Sequence, residues 1–218
     1  MKKYDTVIFD LDGTLINSLE DLKDSVNYSL DIHGFPQKST EEIRNFVGNG
    51  VGRLIELSVP DGINNPLYEE CLEKFRIHYS KNMQNKTAPY EGINELLEEL
   101  KEEGFKLAVV SNKFDTAAKA LVKDYFSDFI KIAIGESDTV SRKPAPDSVL
   151  KALDELGADS DKAVYVGDSE VDVKTAKNSK LKCVGVTWGF RDREVLEKEG
   201  ADYIITEPME LMKIIAPK

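Results

Sequence analysis

Thr6 to Phe9 is a short β-branched and aromatic run that passes directly into Asp10-Leu11-Asp12-Gly13-Thr14. A continuous apolar run of this kind predicts a strand covered on both faces, as in a parallel sheet. The end of such a strand is an unusual place for two carboxylates, because buried ionised groups need partners. Residues two apart on extended backbone face the same side, so Asp10 and Asp12 can address one point. Gly13 then lets the backbone turn sharply without Cβ strain. Alone, the pentapeptide also fits an ordinary strand-end turn, and partners elsewhere in the chain must decide between the two readings.

From Pro89 onward, helical and apolar extended stretches alternate. A helix over 92–103 ends at Gly104, and a strand over 106–110 leads into Ser111-Asn112. Asp115 can cap a helix reaching about Tyr125, and a strand follows over 130–134. Pro144 keeps Lys143 extended, and Pro146 suits the first turn of a helix that Gly157 ends. A strand over 163–166 runs into Gly167-Asp168-Ser169, and further strands fit 182–186 and 203–205. Alternation of this kind predicts a mainly parallel sheet with right-handed crossovers. Ligands in such sheets bind beyond the carboxyl ends of the strands, where Asp10, Ser111 and Asp168 stand, with Lys143 in a neighbouring loop.

Residues 16–84 have a different texture. Leu19, Leu22, Val26 and Leu30 share one helical face between Ser18, a candidate N-cap, and the stop at Gly34. Ser39 and Glu42 have capping-box spacing ahead of Ile43, Phe46 and Val47. Gly48-Asn49-Gly50 interrupts that helix, a short one fits 51–59, and 60–66 reads as loop. A last helix over 67–82 carries Tyr68, Cys71, Leu72, Phe75 and His78 on one stripe, with His78 as a core or boundary residue. The expected fold is α/β: a Rossmann-like parallel-sheet core from residues 1–15 and 85–218, with a small α-helical domain, 16–84, inserted after the first strand.

Composition narrows the function classes. The chain has 218 residues, 41% hydrophobic and 32% charged, a soluble globular balance. A net charge of −11 disfavours nonspecific nucleic-acid binding, which needs clustered cations. Cys71 and Cys183 lack CxxC spacing and read as reduced core thiols. The basic start is followed by too short an apolar run for a signal peptide, and no stretch approaches the ~20 apolar residues of a membrane span. A cytoplasmic protein with no membrane or nucleic-acid partner is expected. Glu98 to Glu103 reads as a solvated helix face, and Trp188 as packing at the sheet edge.

Asp168 and Asp172, four apart at a helix start, share a face. With Asp10 and Asp12 they gather up to four negative charges in one crevice. Two like charges at ~4 Å repel by about 4 kcal/mol at an effective dielectric of about 20, so the cluster requires a cation or protonation. Oxygen-only ligands in a chain with only His33 and His78 favour magnesium over zinc. Such a site, with Ser111, Asn112 and Lys143, suits a phosphoryl group: Asp10 as nucleophile, Asp12 as acid and then base. Asp172 also fits an exposed helix acid.

At these residues the chain resembles the haloacid dehalogenase superfamily of aspartate-nucleophile phosphatases, over nearly its whole length. Asp10-Leu11-Asp12-Gly13-Thr14-Leu15 matches the first motif, Ser111 the second and Lys143 the third. Gly167-Asp168-Ser169-Glu170-Val171-Asp172 matches the acidic fourth. The resemblance implies Asp10 as nucleophile, Asp12 as acid/base, and Ser111, Asn112 and Lys143 as phosphate-binding groups. It implies Mg2+ held by Asp10, the Asp12 backbone carbonyl and Asp168, with Asp172 in support. The helical insert is similar to the superfamily's mobile cap. Gly48-Asn49-Gly50 and Arg53 resemble the cap loop of phosphoglycolate phosphatases, as do Ser111-Asn112-Lys113 and Lys143-Pro144-Ala145-Pro146-Asp147.

The expected function is therefore magnesium-dependent phosphomonoester hydrolysis on a small phosphorylated metabolite such as 2-phosphoglycolate. Asn49 and Arg53 are candidate specificity residues, although Arg53 also fits a solvated side chain between two helices. A β-phosphoglucomutase-like mutase, a pyrophosphatase and a nucleotidase use the same core. A noncatalytic phosphometabolite-binding module is disfavoured by the intact Asp10 and Asp12. Monomer and dimer both remain open.

Overall fold

The acid-tipped run forms β1 (Thr6–Phe9), all four residues of which are buried. The computed structural model describes residues 2–217. After β1 come the two-residue strand β2 (Ile16–Asn17) and helices α1 (Leu19–Ile32), α2 (Thr40–Phe46), α3 (Gly50–Ser58) and α4 (Tyr68–Asn82). Then follow β3 (Ala88–Pro89), α5 (Ile93–Glu102), β4 (Lys106–Phe114), α6 (Asp115–Phe126), β5 (Ile132–Glu136) and α7 (Asp147–Leu156). The chain closes with β6 (Ala163–Gly167), α8 (Glu170–Asn178), β7 (Lys182–Val186), α9 (Arg193–Glu199), β8 (Tyr203–Ile205) and α10 (Glu210–Ile215).

Two units emerge. One comprises residues up to Ile16 together with those from Pro89 onward, the other Asn17–Ala88. The first is built on a six-stranded parallel sheet in the order β5-β4-β1-β6-β7-β8. The strand order reverses at β1, with β4 on one side and β6 on the other, and such reversals open a crevice at the carboxyl edge. Phe9 is level with Val109 and Val166, so Asp10 and Asp168, just past β1 and β6, lie at nearly the same height as Ser111, which sits inside β4 at its irregularity and not at the strand end expected. One sheet face packs Ile8, Val110 and Tyr165 against Val149 and Ala152 of α7 and Val173 and Ala176 of α8.

The expected strands all lie in this sheet: β1, β7 and β8 keep their expected bounds, and β4, β5 and β6 shift at one or both ends. β4 runs on through Phe114 because pairing with β5 resumes past an irregularity, at Phe114 and Glu136. β5 begins at Ile132, since Ile130 N–H is turned back onto Phe126 O at 2.8 Å. Asp115 does not cap α6. It is the first residue of that helix, and its Oδ1 accepts from Gly135 N–H at 3.0 Å. β2 and β3 are two residues each, too short for any periodicity to reveal.

In the helical unit, Leu22, Val26 and Leu30 of α1 are buried, as are Cys71, Leu72, Phe75 and Tyr79 of α4. His78 is half-buried, bonds Ser25 Oγ at 3.0 Å and stacks on Tyr28 at 4.1 Å. Ser39 and Glu42 form the capping box that their spacing predicts. Ser18 precedes α1 without a side-chain cap bond: its ψ of 5° departs from the extended N-cap geometry that aims the hydroxyl at the helix. Both cysteines are buried and free. Among the described residues no helix is long and apolar enough to cross a membrane.

Asp21 of α1 organises the end of this unit. Its buried carboxylate accepts from Lys86 N–H at 3.0 Å, Thr87 N–H at 2.8 Å and Thr87 Oγ1 at 2.7 Å. Asp21→Ala strands these donors, and the expected loss is about 1–3 kcal/mol, with Asp21→Asn in between. Urea unfolding checks this, and an unchanged midpoint in Asp21→Ala would disprove it.

Candidate active site

Asp10 extends β1 by one residue, its N–H bonded to Val166 O at 2.9 Å. Its Oδ1 accepts from Leu11 N–H at 2.7 Å and from Lys143 Nζ at 2.7 Å. The chain then folds tightly, with the N–H groups of Leu15 and Ile16 both on Leu11 O at 3.0 and 3.1 Å. Gly13, at φ +85°, is where that fold needs glycine, and a Cβ there would lie 2.4 Å from Asp168 Oδ2. Gly189 approaches as closely, since its Cβ would fall 2.3 Å from Asp168 Cβ and 2.4 Å from Gly13 O. Trp188 is not mere edge packing: its Nε1 donates to Thr14 O at 3.0 Å and braces the turn.

Lys143 is buried and central. Its Nζ lies 2.7 Å from Asp10 Oδ1, 2.8 Å from Asp172 Oδ1 and 3.1 Å from the Tyr165 hydroxyl. The Tyr165 hydroxyl donates in turn to Asp172 Oδ1 at 2.9 Å. Burial works to lower the Lys143 pKa, but the charges of Asp10 and Asp172 outweigh it and the ammonium is held above its ordinary value. Asn112 fixes the lysine by its main chain: Lys143 N–H donates to Asn112 Oδ1 at 2.8 Å, and Asn112 Nδ2 to Lys143 O at 3.0 Å. The Asn112 carboxamide, expected on phosphate, holds the Lys143 main chain through both its oxygen and its nitrogen.

Asp10, Asp168 and Asp172 each offer an oxygen within 4.8 Å of the others. Asp172 is fully buried, which removes its reading as an exposed helix acid. It is the third residue of α8 in a capping box: Ser169 Oγ and N–H donate to its Oδ2 at 2.6 and 3.0 Å. Burial works to raise its pKa, yet Lys143, Ser169 and Tyr165 prevail and hold it below the usual carboxylate range. Burial and the charge of Asp172 push Asp10 well up, against Lys143.

Asp168 is held by neutral donors, the Phe190 N–H at 2.7 Å and the Thr14 hydroxyl at 3.4 Å. Burial, then Asp172, push its pKa up to about 7. Such a cluster of hard oxygen ligands suits a hard cation.

Asp12 faces a second buried ammonium. Lys113 Nζ lies 2.9 Å from both of its carboxylate oxygens. Lys113 N–H also donates to Ser111 Oγ at 3.1 Å. Tyr165 and Gly189 are not among the sequence candidates, and Lys113 and Ser169 appear there only within motifs, without a role of their own. Lys113 had a usable signal, since it stands two residues after Ser111 on a strand and so shares its face. For Tyr165, the signal was a phenol inside an apolar strand, whose hydroxyl requires a buried partner. Asn49 and Arg53 belong to the helical unit. Asn49 sits at the N-cap of α3 without a side-chain cap bond, and Arg53 Nη1 pairs with Glu56 Oε1 at 2.6 Å.

Comparison with known proteins agrees with this architecture. Residues 7–186 match the family model described as haloacid dehalogenase-like hydrolase. A phosphoglycolate phosphatase of Aquifex aeolicus is 34% identical, over 96% of this chain and 95% of its own length. The pyrophosphatase PpaX of Bacillus pumilus is 32% identical, over 96% and 95%. Among solved structures, a predicted phosphoglycolate phosphatase from Haemophilus somnus superposes with a TM-score of 0.90 at 27% identity, covering 98% of this chain and 99% of that one. CbbY from Rhodobacter sphaeroides, in complex with phosphate, gives 0.79 at 25% identity, covering 95% and 96%. Family match and strand-end constellation lead to one conclusion: the chain belongs to the haloacid dehalogenase-like hydrolases.

Proposed function

We propose that this chain is a magnesium-dependent phosphomonoester hydrolase that works through a phosphoaspartate on Asp10. The observation that carries the reading is the buried Lys143 ammonium within 2.8 Å of two of three clustered carboxylates at the strand ends. Two lysines pair with Asp10, Asp172 and Asp12, while neutral donors hold Asp168, so the cluster keeps an excess of negative charge that a divalent cation would balance. Asp168, held by neutral donors and raised to about 7, is the carboxylate a cation would serve most. The donor set is all oxygen, which suits Mg2+. Asp10, the Asp12 main-chain carbonyl and Asp168 would hold it, with Asp172 behind them. When bound, the ion supplies positive charge to the phosphoryl oxygens.

The chain's own groups perform the transfer. An Asp10 carboxylate oxygen bonds to phosphorus as the bond to the leaving oxygen breaks. Asp12 gives that oxygen its proton, then takes one from the water that displaces Asp10 from phosphorus. The Ser111 hydroxyl donates to a phosphoryl oxygen, and Lys143 balances charge as it develops. Asn112 acts as a positioning residue through Lys143. In the helical unit, which we read as the substrate-selecting cap, Asn49 and Arg53 are the specificity candidates. Arg53 would exchange Glu56 for the carboxylate of a small phosphorylated acid. Two relatives of comparable identity are named as phosphoglycolate phosphatase and pyrophosphatase, so 2-phosphoglycolate is the first substrate and pyrophosphate the second reading. The proposed setting is the cytoplasm.

Phosphate release from 2-phosphoglycolate, pyrophosphate, hexose phosphates and nucleotides tests this directly, and absence of turnover on the whole panel would overturn it. Asp10→Asn is expected to cut turnover by roughly 10³-fold or more while keeping the wild-type circular dichroism spectrum. Normal turnover in that variant would require a different nucleophile.

Metal removal has a pH signature. The folded pKa of Asp168, about 7, exceeds its unfolded value of roughly 4, so the folded metal-free protein binds a proton that the unfolded chain releases. In the metal-free protein this group therefore loses stability as pH rises from about 4 to about 7. Mg2+ must displace that proton, so its affinity falls by about tenfold per pH unit below 7. EDTA is expected to abolish turnover and Mg2+ to restore it, with a larger Mg2+-induced rise in Tm at pH 8 than at pH 6. An equal rise at both values would refute the assignment of Asp168 as a ligand.

A further inference from the structure

We propose that Lys113 is a positioning residue for Asp12, setting where that carboxylate stands and so how well it delivers a proton to the leaving group. The inference rests on the reading of Asp12 as acid and base. Lys143 and Lys113 are both buried, yet they hold different acids. Lys143 bridges Asp10 and Asp172, whereas Lys113 Nζ lies 2.9 Å from each oxygen of Asp12. Contact with both oxygens fixes the rotation of the carboxylate as well as its position, and proton transfer depends on both.

Lys113 is itself held from behind. It lies near the end of β4, its N–H on Ser111 Oγ at 3.1 Å. Its carbonyl packs on Gly135 so closely that a Cβ there would come within 2.6 Å. Gly135 N–H is tied to Asp115 Oδ1 at 3.0 Å. The ammonium thus reaches Asp12 from a fixed backbone, and its side chain is only 3% exposed. A solvated lysine would place a carboxylate poorly; one anchored like this transmits the strand's geometry to it.

Departure of the leaving group separates this role from phosphate binding. An alkoxide needs a proton as it departs, whereas 4-nitrophenolate does not. kcat/KM reports steps through that departure, and so isolates the acid from the later water attack. For Lys113→Met, kcat/KM is expected to fall by about 10–100-fold with the alkyl phosphomonoester that wild type uses best, at or below the low end of general-acid effects, as loss of positioning with the acid still present implies. With 4-nitrophenyl phosphate it should fall less than about threefold. Lys113→Arg, which keeps the charge, should restore much of the alkyl activity.

Equal losses on both substrates, or no loss on either, would overturn the proposal. If Lys113→Met does not fold, as judged by circular dichroism and Tm, Lys113→Gln is read by the same ratio. Failure of both to fold would make Lys113 a structural residue and also overturn it. Asp12→Asn serves as the reference. If it shows the leaving-group dependence and the Lys113 variants do not, only the present inference falls. If Asp12→Asn itself lacks that dependence, the acid/base reading falls with it.

Discussion

The Lys143 ammonium stands 2.7 Å from Asp10 and 2.8 Å from Asp172, out of contact with bulk water. Without it, three buried carboxylates would face one another at distances where each repulsion amounts to several kcal/mol, comparable in sum to the stability of a domain. A buried ion pair of this kind is weak evidence for added stability, because desolvation offsets most of the attraction. Its value is positional. Lys143 gives the acids one arrangement, and the Asn112 clamp and the Tyr165 hydroxyl give Lys143 one place to stand.

The sheet makes that arrangement possible. In a parallel sheet with strand order reversing at β1, neighbouring crossovers leave in opposite directions and open a crevice at the carboxyl edge. Asp10 enters from the central strand, Ser111 and Lys113 from β4, and Asp168 from the end of β6. Close approach is a matter of backbone: Gly13 and Gly189 press against Asp168 where any Cβ would collide with it. The two lysines divide the charge between them, one serving Asp10 and Asp172, the other Asp12. In the proposed reaction this separates nucleophile from proton carrier, although the two acids are only two residues apart.

Relatives with near-equal identity over nearly the whole chain are named for different phosphorylated compounds. In the proposed function the candidate specificity residues, Asn49 and Arg53, belong to the helical unit. Its own architecture depends on a different buried acid, Asp21, which satisfies the donors of Lys86 and Thr87.

By itself the sequence determined the α/β class, the six strands of the main sheet and the helical insertion, because these follow from local periodicity. It also marked Asp10 and Asp168 as strand-end groups, since a polar residue after an apolar run announces its position, whereas Ser111 lies inside β4, which continues past it to Phe114. Other features required tertiary structure. Asp172 was open between surface and site until α8 was seen to bury it under Ser169, Tyr165 and Lys143. Asn112, a phosphate-binding candidate by sequence, also clamps the main chain of a lysine thirty-one residues away. Lys113 reaches Asp12 across 101 residues of chain. The physical reason is common to all three. Periodicity tells which side of an element a residue faces, but the partner it meets depends on strand register and crossover path, which bring distant segments to within a hydrogen bond.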